Sequence, residues 1–152
     1  MTVGLLHGCD DIVLKWYCAK YNAPLIRVDR AIGLLEGDQL IGAIIFHYWN
    51  GNNVEISYYG PGTMKAGIVR YICMTAITVF GVSRMTAVVN KKNKRLLKSL
   101  MKLGFRLEGV QRCYFGRSDC NRNAGVRLVM FRERLEQLAY PDNATTNTPA
   151  LL

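Results

Sequence analysis

The chain is short of acid. Eleven Asp and Glu stand against twenty Lys and Arg in 152 residues, a formal net charge of +9. From Arg84 to Arg106 there are eight basic residues and no acidic one. A surface of one sign attracts phosphates and acidic groups. Charge alone leaves a nucleotide cofactor, a nucleic acid and an acidic protein open as partners, and the same run without any partner reads as a solvated helix face. Histidine is scarcer still: only His7 and His47, far apart. No C-x-x-C occurs among Cys9, Cys18, Cys73, Cys113 and Cys120, an odd number at irregular spacings. This gives poor support for a zinc centre or a disulfide framework. Free thiols in a reducing compartment are expected, with Cys73 a small core residue on an apolar helix face. No apolar run reaches the ~18 residues needed to cross a bilayer. The longest, Leu40–Phe46, is strand-sized. The opening M-T-V-G-L-L-H-G lacks the basic start and apolar centre of a signal peptide, so a cytoplasmic location is the expectation.

What is present suits one packed core, with half of the residues hydrophobic. Thr2–Leu6 reads as a short strand. Cys9-Asp10-Asp11 opens a helix that runs to about Tyr21, with Asn22-Ala23-Pro24 as its stop. Ala31–Leu35 and Gln39–Trp49 flank Glu36-Gly37-Asp38, a hairpin turn. Asn50-Gly51-Asn52-Asn53 is a second tight turn, and Val54–Tyr59 the next strand, so three strands form an antiparallel meander. Gly60-Pro61-Gly62 ends it. Val69, Ile72, Cys73, Ala76 and Phe80 stripe a helix over Lys65–Phe80. Met85–Val89 is a buried strand. Asn93 caps a helix whose Leu96, Leu97, Leu100 and Met101 share a face, and Gly104 ends it in the left-handed region. Phe105–Gly116 and Gly125–Arg132 are the last strand pair. Pro141–Leu152, rich in Thr, Asn and Ala, reads as a tail. The division is a domain over residues 1–135 and a C-terminal tail over 136–152.

Two motifs carry a resemblance. Val88-Val89-Asn90-Lys91-Lys92-Asn93 has the form V-x-N-x-x-N. Eleven residues after Asn93 comes Gly104-Phe105-Arg106-Leu107-Glu108-Gly109, the form G-F-x-x-E-G. With the strand before them and the helix between, they resemble the second half of the GCN5-related N-acetyltransferase (GNAT) fold. The resemblance covers roughly Thr2–Leu135. The chain resembles the compact forms encoded by bacteriophages and prophages, with the family's usual second helix shortened or missing. It implies a single α+β (α/β) domain: a mixed central sheet of about six to seven strands flanked by helices. A splayed parallel pair, Val54–Tyr59 and Met85–Asn90, would stand in the middle, joined by a right-handed crossover.

The resemblance also implies a chemistry: transfer of an acetyl group from acetyl-CoA to an amine. The cofactor's pyrophosphate would meet a helix N-terminus, here the loop Gly62, Thr63, Met64, Lys65, Ala66 and Gly67. Asn90 and Asn93 would hold the neighbouring turn and contact the pantetheine arm, and Lys94 would meet phosphate. Glu55, on the strand before the loop, is the candidate general base. Two departures stand against the family pattern. Of the phosphate-loop positions only Ala66 fits, and Met64 stands where the pattern has Gly. The position of the usual tyrosine acid is Leu100, which cannot donate a proton. Tyr58, Ser99 and Tyr59 are the weak substitutes. His47 reads as a core or substrate-pocket histidine and no metal is implied. The departures keep open a catalytically degenerate acetyltransferase that has lost acetyl-CoA. They also keep open a non-catalytic, structural or assembly component of a phage particle, located in the virion and partnered by itself or by other phage structural proteins. Nucleic-acid binding by the basic helix is a third reading, weakened by its lack of interleaved aromatics.

Overall fold

Strong alternation and a Gly-centred turn make residues 28–59 a meander in the computed structural model of the protein, which describes residues 2–21, 27–60 and 64–144. The chain order is β1 (Gly4–Leu6), α1 (Asp10–Tyr21), β2 (Val28–Glu36), β3 (Gln39–His47), β4 (Asn53–Tyr59), α2 (Ala66–Thr78), β5 (Arg84–Asn90), α3 (Lys94–Leu103), β6 (Arg106–Gln111), β7 (Gly125–Phe131), α4 (Arg132–Ala139) and α5 (Pro141–Ala144). The seven strands form a mixed sheet in the order β1-β2-β3-β4-β5-β7-β6. The chain divides into two compact units, residues 1–50 with 54–63, and residues 51–53 with 64–152.

In the first unit β1, β2, β3 and β4 pair antiparallel in succession. Gly37 turns the β2–β3 hairpin with φ 59, in the left-handed region that glycine enters without steric cost. β3 is central, as its apolar run predicts: Ala43, Ile44, Ile45 and Phe46 are fully buried. On one face α1 sets Val13 and Tyr17 against Ala31, Ala43 and Ile45. Val13 and Ile45 each contribute about 1.5–3 kcal/mol by leaving water. Asp10 fixes where α1 begins, its Oδ2 accepting from the Ala31 backbone N–H at 3.0 Å.

The second unit pairs β5 with β7 and β7 with β6, all antiparallel. α2 buries Ile68, Val69, Ile72, Cys73 and Ala76, the stripe its spacing predicts, and packs on α4, where the Arg70 Nε donates to the Ala139 carbonyl at 3.1 Å. Asn52 and Asn53, which belong to this unit, bond to the start of β5. The Ser83 and Arg84 N–H groups donate to the Asn52 carbonyl, and Asn53 Nδ2 donates to Thr86 Oγ1 at 3.1 Å. α3 has the termini expected of it. Asn93 Oδ1 accepts from Leu96 N–H at 3.2 Å, and Gly104 ends the helix at φ 117.

Three findings depart from expectation. Cys113 and Cys120 are joined by a disulfide across the β6–β7 loop, whereas free thiols were expected. The spacing looked irregular because the loop itself brings the pair together: Cys113 N–H donates to the Cys120 carbonyl and Phe115 N–H to the Asn123 carbonyl. Cys9, Cys18 and Cys73 are free, Cys73 buried as expected. The expected strand Phe105–Gly116 is shorter, ending at Gln111, because that loop takes its last residues. α4 adds a helix after β7 that strand patterning did not anticipate, burying Leu135 and Ala139. No helix among the described residues is long and apolar enough to cross a membrane.

Candidate functional site

Polar side chains are rare on the α1 face of the first unit, and three of them meet at one end. His47 is the last residue of β3 and pairs directly with Glu55 of β4; Ile45 pairs with Ser57. Directly opposed residues share a face and alternate residues return to it, so His47, Glu55 and Ser57 lie on one side of the sheet with Ala43, Ile45 and Tyr59. Glu55 is 4% exposed. Its Oε2 stands 3.7 Å from His47 Nδ1, close enough for charge to be felt and longer than a hydrogen bond. His47 Nε2 and Ser57 Oγ are 2.9 Å apart, a hydrogen bond.

Backbone contacts hold this end of β3 in place. The chain leaves through Tyr48 at φ 54, a left-handed conformation for a bulky residue. Tyr48 N–H donates to the Arg27 carbonyl. The Arg27 Nη2 donates to the Trp49 carbonyl at 2.8 Å, and Asp29 Oδ2 accepts from Trp49 N–H at 2.8 Å. Asp29 sits where the β2–β3 register slips between Val28 and Arg30. Burial pushes the His47 imidazole down to about 4, with Asp29 pulling weakly the other way. At neutral pH His47 is therefore an uncharged imidazole, with one nitrogen to donate and one to accept.

Tyr59 continues the same face toward α1. Its ring centroid lies 4.2 Å from that of Tyr17 and 5.0 Å from that of Tyr21. Burial raises the Tyr17 hydroxyl above its ordinary range, and the Tyr59 contact adds to it. Tyr58 points to the opposite face, where its partner is Ile44. The strand's alternation thus separates Tyr58 from Glu55.

The candidate cofactor residues with described positions lie in the second unit, while Gly62 and Thr63 fall outside the described residues. Lys65 is the N-cap of α2, in an extended conformation and with no side-chain bond capping the helix, and no acid stands in the first turn. The first N–H groups of a helix have no partner inside it and carry the positive end of its dipole. Lys65, Ala66 and Gly67 are exposed and Met64 is half-buried. A Cβ added at Gly67 would meet nothing within 4 Å, so an anion has room to approach this turn. Asn90 Oδ1 accepts from Lys92 N–H at 3.0 Å. With the Asn93 cap, both asparagines make side-chain bonds within the β5–α3 turn. Lys94 opens α3, exposed. Ser99 bonds back to its own helix, Oγ donating to the Arg95 carbonyl at 3.0 Å. Leu100 is the buried residue of α3, a core position.

His47 and Ser57 were missed as companions of Glu55. The signal was the hairpin register: His47 and Glu55 each stand four residues from Gly51.

No family model matches the chain, and no curated protein matches it. Solved structures do. A variant of the spermidine N-acetyltransferase SpeG from Vibrio cholerae is similar with a TM-score of 0.66 at 11% identity, over 93% of this chain and 99% of that one. A GNAT family acetyltransferase from Elizabethkingia anophelis, solved with acetyl-CoA bound, gives 0.61 at 13% identity over 86% and 97%. A GNAT family acetyltransferase from Bacillus anthracis gives 0.55 at 17% identity over 68% and 66%. At such identities the likeness is one of fold, and the fold of this chain is the GNAT fold.

Proposed function

We propose that the protein transfers an acetyl group from acetyl-CoA to an amine, with Glu55 as general base. The observation that carries this reading is a carboxylate buried to 4% exposure on β4, in the fold that the GNAT acetyltransferases share. The start of α2 fits an anionic cofactor, its first turn being free of acid and open above Gly67. Backbone N–H groups around Lys65, Ala66 and Gly67 would hold the pyrophosphate, with Gly62, Thr63 and Met64 leading into the turn. Asn90 and Asn93 would present the β5–α3 turn to the pantetheine arm, and Lys94 a charge to phosphate. Bound there, acetyl-CoA supplies an activated thioester carbonyl. The chain's own contribution is to orient the amine and to take its proton, with no covalent enzyme intermediate.

The base is deeply placed, so its worth is testable. Glu55→Gln keeps size and hydrogen bonding and removes the proton acceptor. Turnover of an amine should fall by about two to four powers of ten, with acetyl-CoA affinity by calorimetry nearly unchanged. Leu100 leaves no acid at the family's usual place, so slow turnover is expected in the wild type. No heat on titration with millimolar acetyl-CoA, together with no acetylation of any amine offered, would defeat the proposal.

A further inference from the structure

We infer that Glu55 does not meet the acceptor itself but works through a relay, with Ser57 as the catalytic group that touches the amine and His47 as the positioning residue that carries the proton inward. The inference rests on the amine-acetylating reading above.

The argument is geometric. Glu55 is 4% exposed, so an acceptor reaches it poorly. Ser57 is partly exposed on the same face, and its Oγ is 2.9 Å from His47 Nε2. The other ring nitrogen, Nδ1, faces Glu55 Oε2 at 3.7 Å. One imidazole therefore bridges a hydroxyl near the surface and a carboxylate beneath it. Imidazole can pass a proton without gaining net charge, taking one at one nitrogen and releasing one from the other. A neutral ring is what this needs, and burial favours the neutral form. Catalytic contacts are often long before substrate binds and tighten in the complex. Here Nδ1 and Oε2 must close by roughly an ångström to reach hydrogen-bonding distance. The charged and titratable groups around the ring are Glu55 from β4, Asp29 from the β2 bulge and the adjoining Tyr48.

The proton balance closes. As the amine nitrogen bonds to the acetyl carbon and the thioester's carbon–sulfur bond breaks, with the electron pair leaving on sulfur as a thiolate, the amine's proton passes to Ser57 Oγ. The hydroxyl's own proton moves to His47 Nε2, and the Nδ1 proton moves to Glu55. The amine has lost one proton, Glu55 has gained one, and Ser57 and His47 hold as many as before. His47 has only exchanged tautomers, which requires its resting proton to sit on Nδ1.

That requirement is the test. Long-range proton–nitrogen spectra of the nitrogen-15-labelled full chain read the tautomer directly. Only His7 and His47 contribute, and His7→Gln assigns them. We expect one neutral His47 form at pH 7, protonated on Nδ1. Ser57→Ala should shift its Nε2 resonance and leave Nδ1 protonated. A proton found on Nε2, donated to Ser57, closes the route and overturns the relay whatever the activity. Kinetics supplies the second arm. Ser57→Ala should lower kcat/KM at least tenfold, Ser57→Thr should restore much of it, and Glu55→Gln with Ser57→Ala should be no worse than Glu55→Gln alone. Losses that multiply in the double variant refute the relay while leaving acetyl transfer standing. A wild type that acetylates nothing defeats the proposed function and the relay with it, whereas a proton on Nε2 defeats the relay alone.

Discussion

His47 should make the protein acid-sensitive well above the range where carboxylates titrate. Its imidazole has an ordinary value of 6.5 and is pushed down to about 4 by burial. The native state thus refuses a proton that the unfolded chain accepts. The sign follows directly: below pH 6.5 the unfolded state binds more protons at this site, so stability falls as pH falls, until the folded group titrates near 4. The contribution is fully present above 6.5. Between pH 7 and pH 5 the two titration curves differ by about 2 kcal/mol. For a chain of this length that lowers Tm by about 4–8 °C. Thermal melts followed by circular dichroism at pH 7, 6 and 5 measure it. His47→Gln is the control, since it keeps hydrogen bonding and cannot protonate. Exposed His7 is present in both proteins and cancels. The wild type should lose about 2 kcal/mol more than the variant over this window. Parallel curves for the two proteins would refute the reasoning, because His47 would then sit in water in both states.

Two further outcomes test the second unit. Gly104→Ala should cost about 2–4 kcal/mol in urea unfolding. Its φ is 117, and an added Cβ would lie 2.7 Å from Arg134 Nε, an atom that donates to the Leu103 carbonyl at 2.9 Å; a cost under about 1 kcal/mol would mean that Arg134 swings clear. Reducing the disulfide between Cys113 and Cys120, seven residues apart, should cost about 2.4 kcal/mol from loop closure, or about 5–10 °C in Tm, whereas an unchanged Tm in reductant would show that the loop is as constrained without the bond.

The second unit was more legible than the first. α3 announced both its ends, because a cap and a left-handed stop are local chemistry written in single residues, Asn93 and Gly104. β3 was legible from its apolar run alone. The Glu55 site was not, and the reason is one residue of register. A two-residue turn at Gly51-Asn52 would have paired His47 with Ile56 and left Glu55 facing elsewhere. The observed pairing is centred on Gly51, which takes φ 92, and it brings His47 opposite Glu55. Such a slip reverses every side chain of a strand, and nothing in N-G-N-N fixes it. The disulfide was hidden for a related reason: a loop's path, not the cysteine spacing, decides which thiols meet.

The composition of that hairpin supports function over packing as the reason for its polar end. Val13, Tyr17, Ala31, Ala43 and Ile45 form the core on the α1 face, and Ile45 precedes His47 on the same side. A buried acid beside a half-buried imidazole is a poor filler there. Taking a ring nitrogen pair and a carboxylate out of water costs free energy that apolar side chains do not incur. An apolar pair at the same two positions would extend the core without it. Local rules are broken in this way mainly where a site needs the groups. The left-handed Tyr48 and the bulge at Asp29, both bracing the end of β3, add two more costly features within the same few residues. Strain, burial and polarity coincide at His47 and Glu55, and that coincidence, more than any single distance, is the ground for proposing this end of the hairpin as the site of the chemistry.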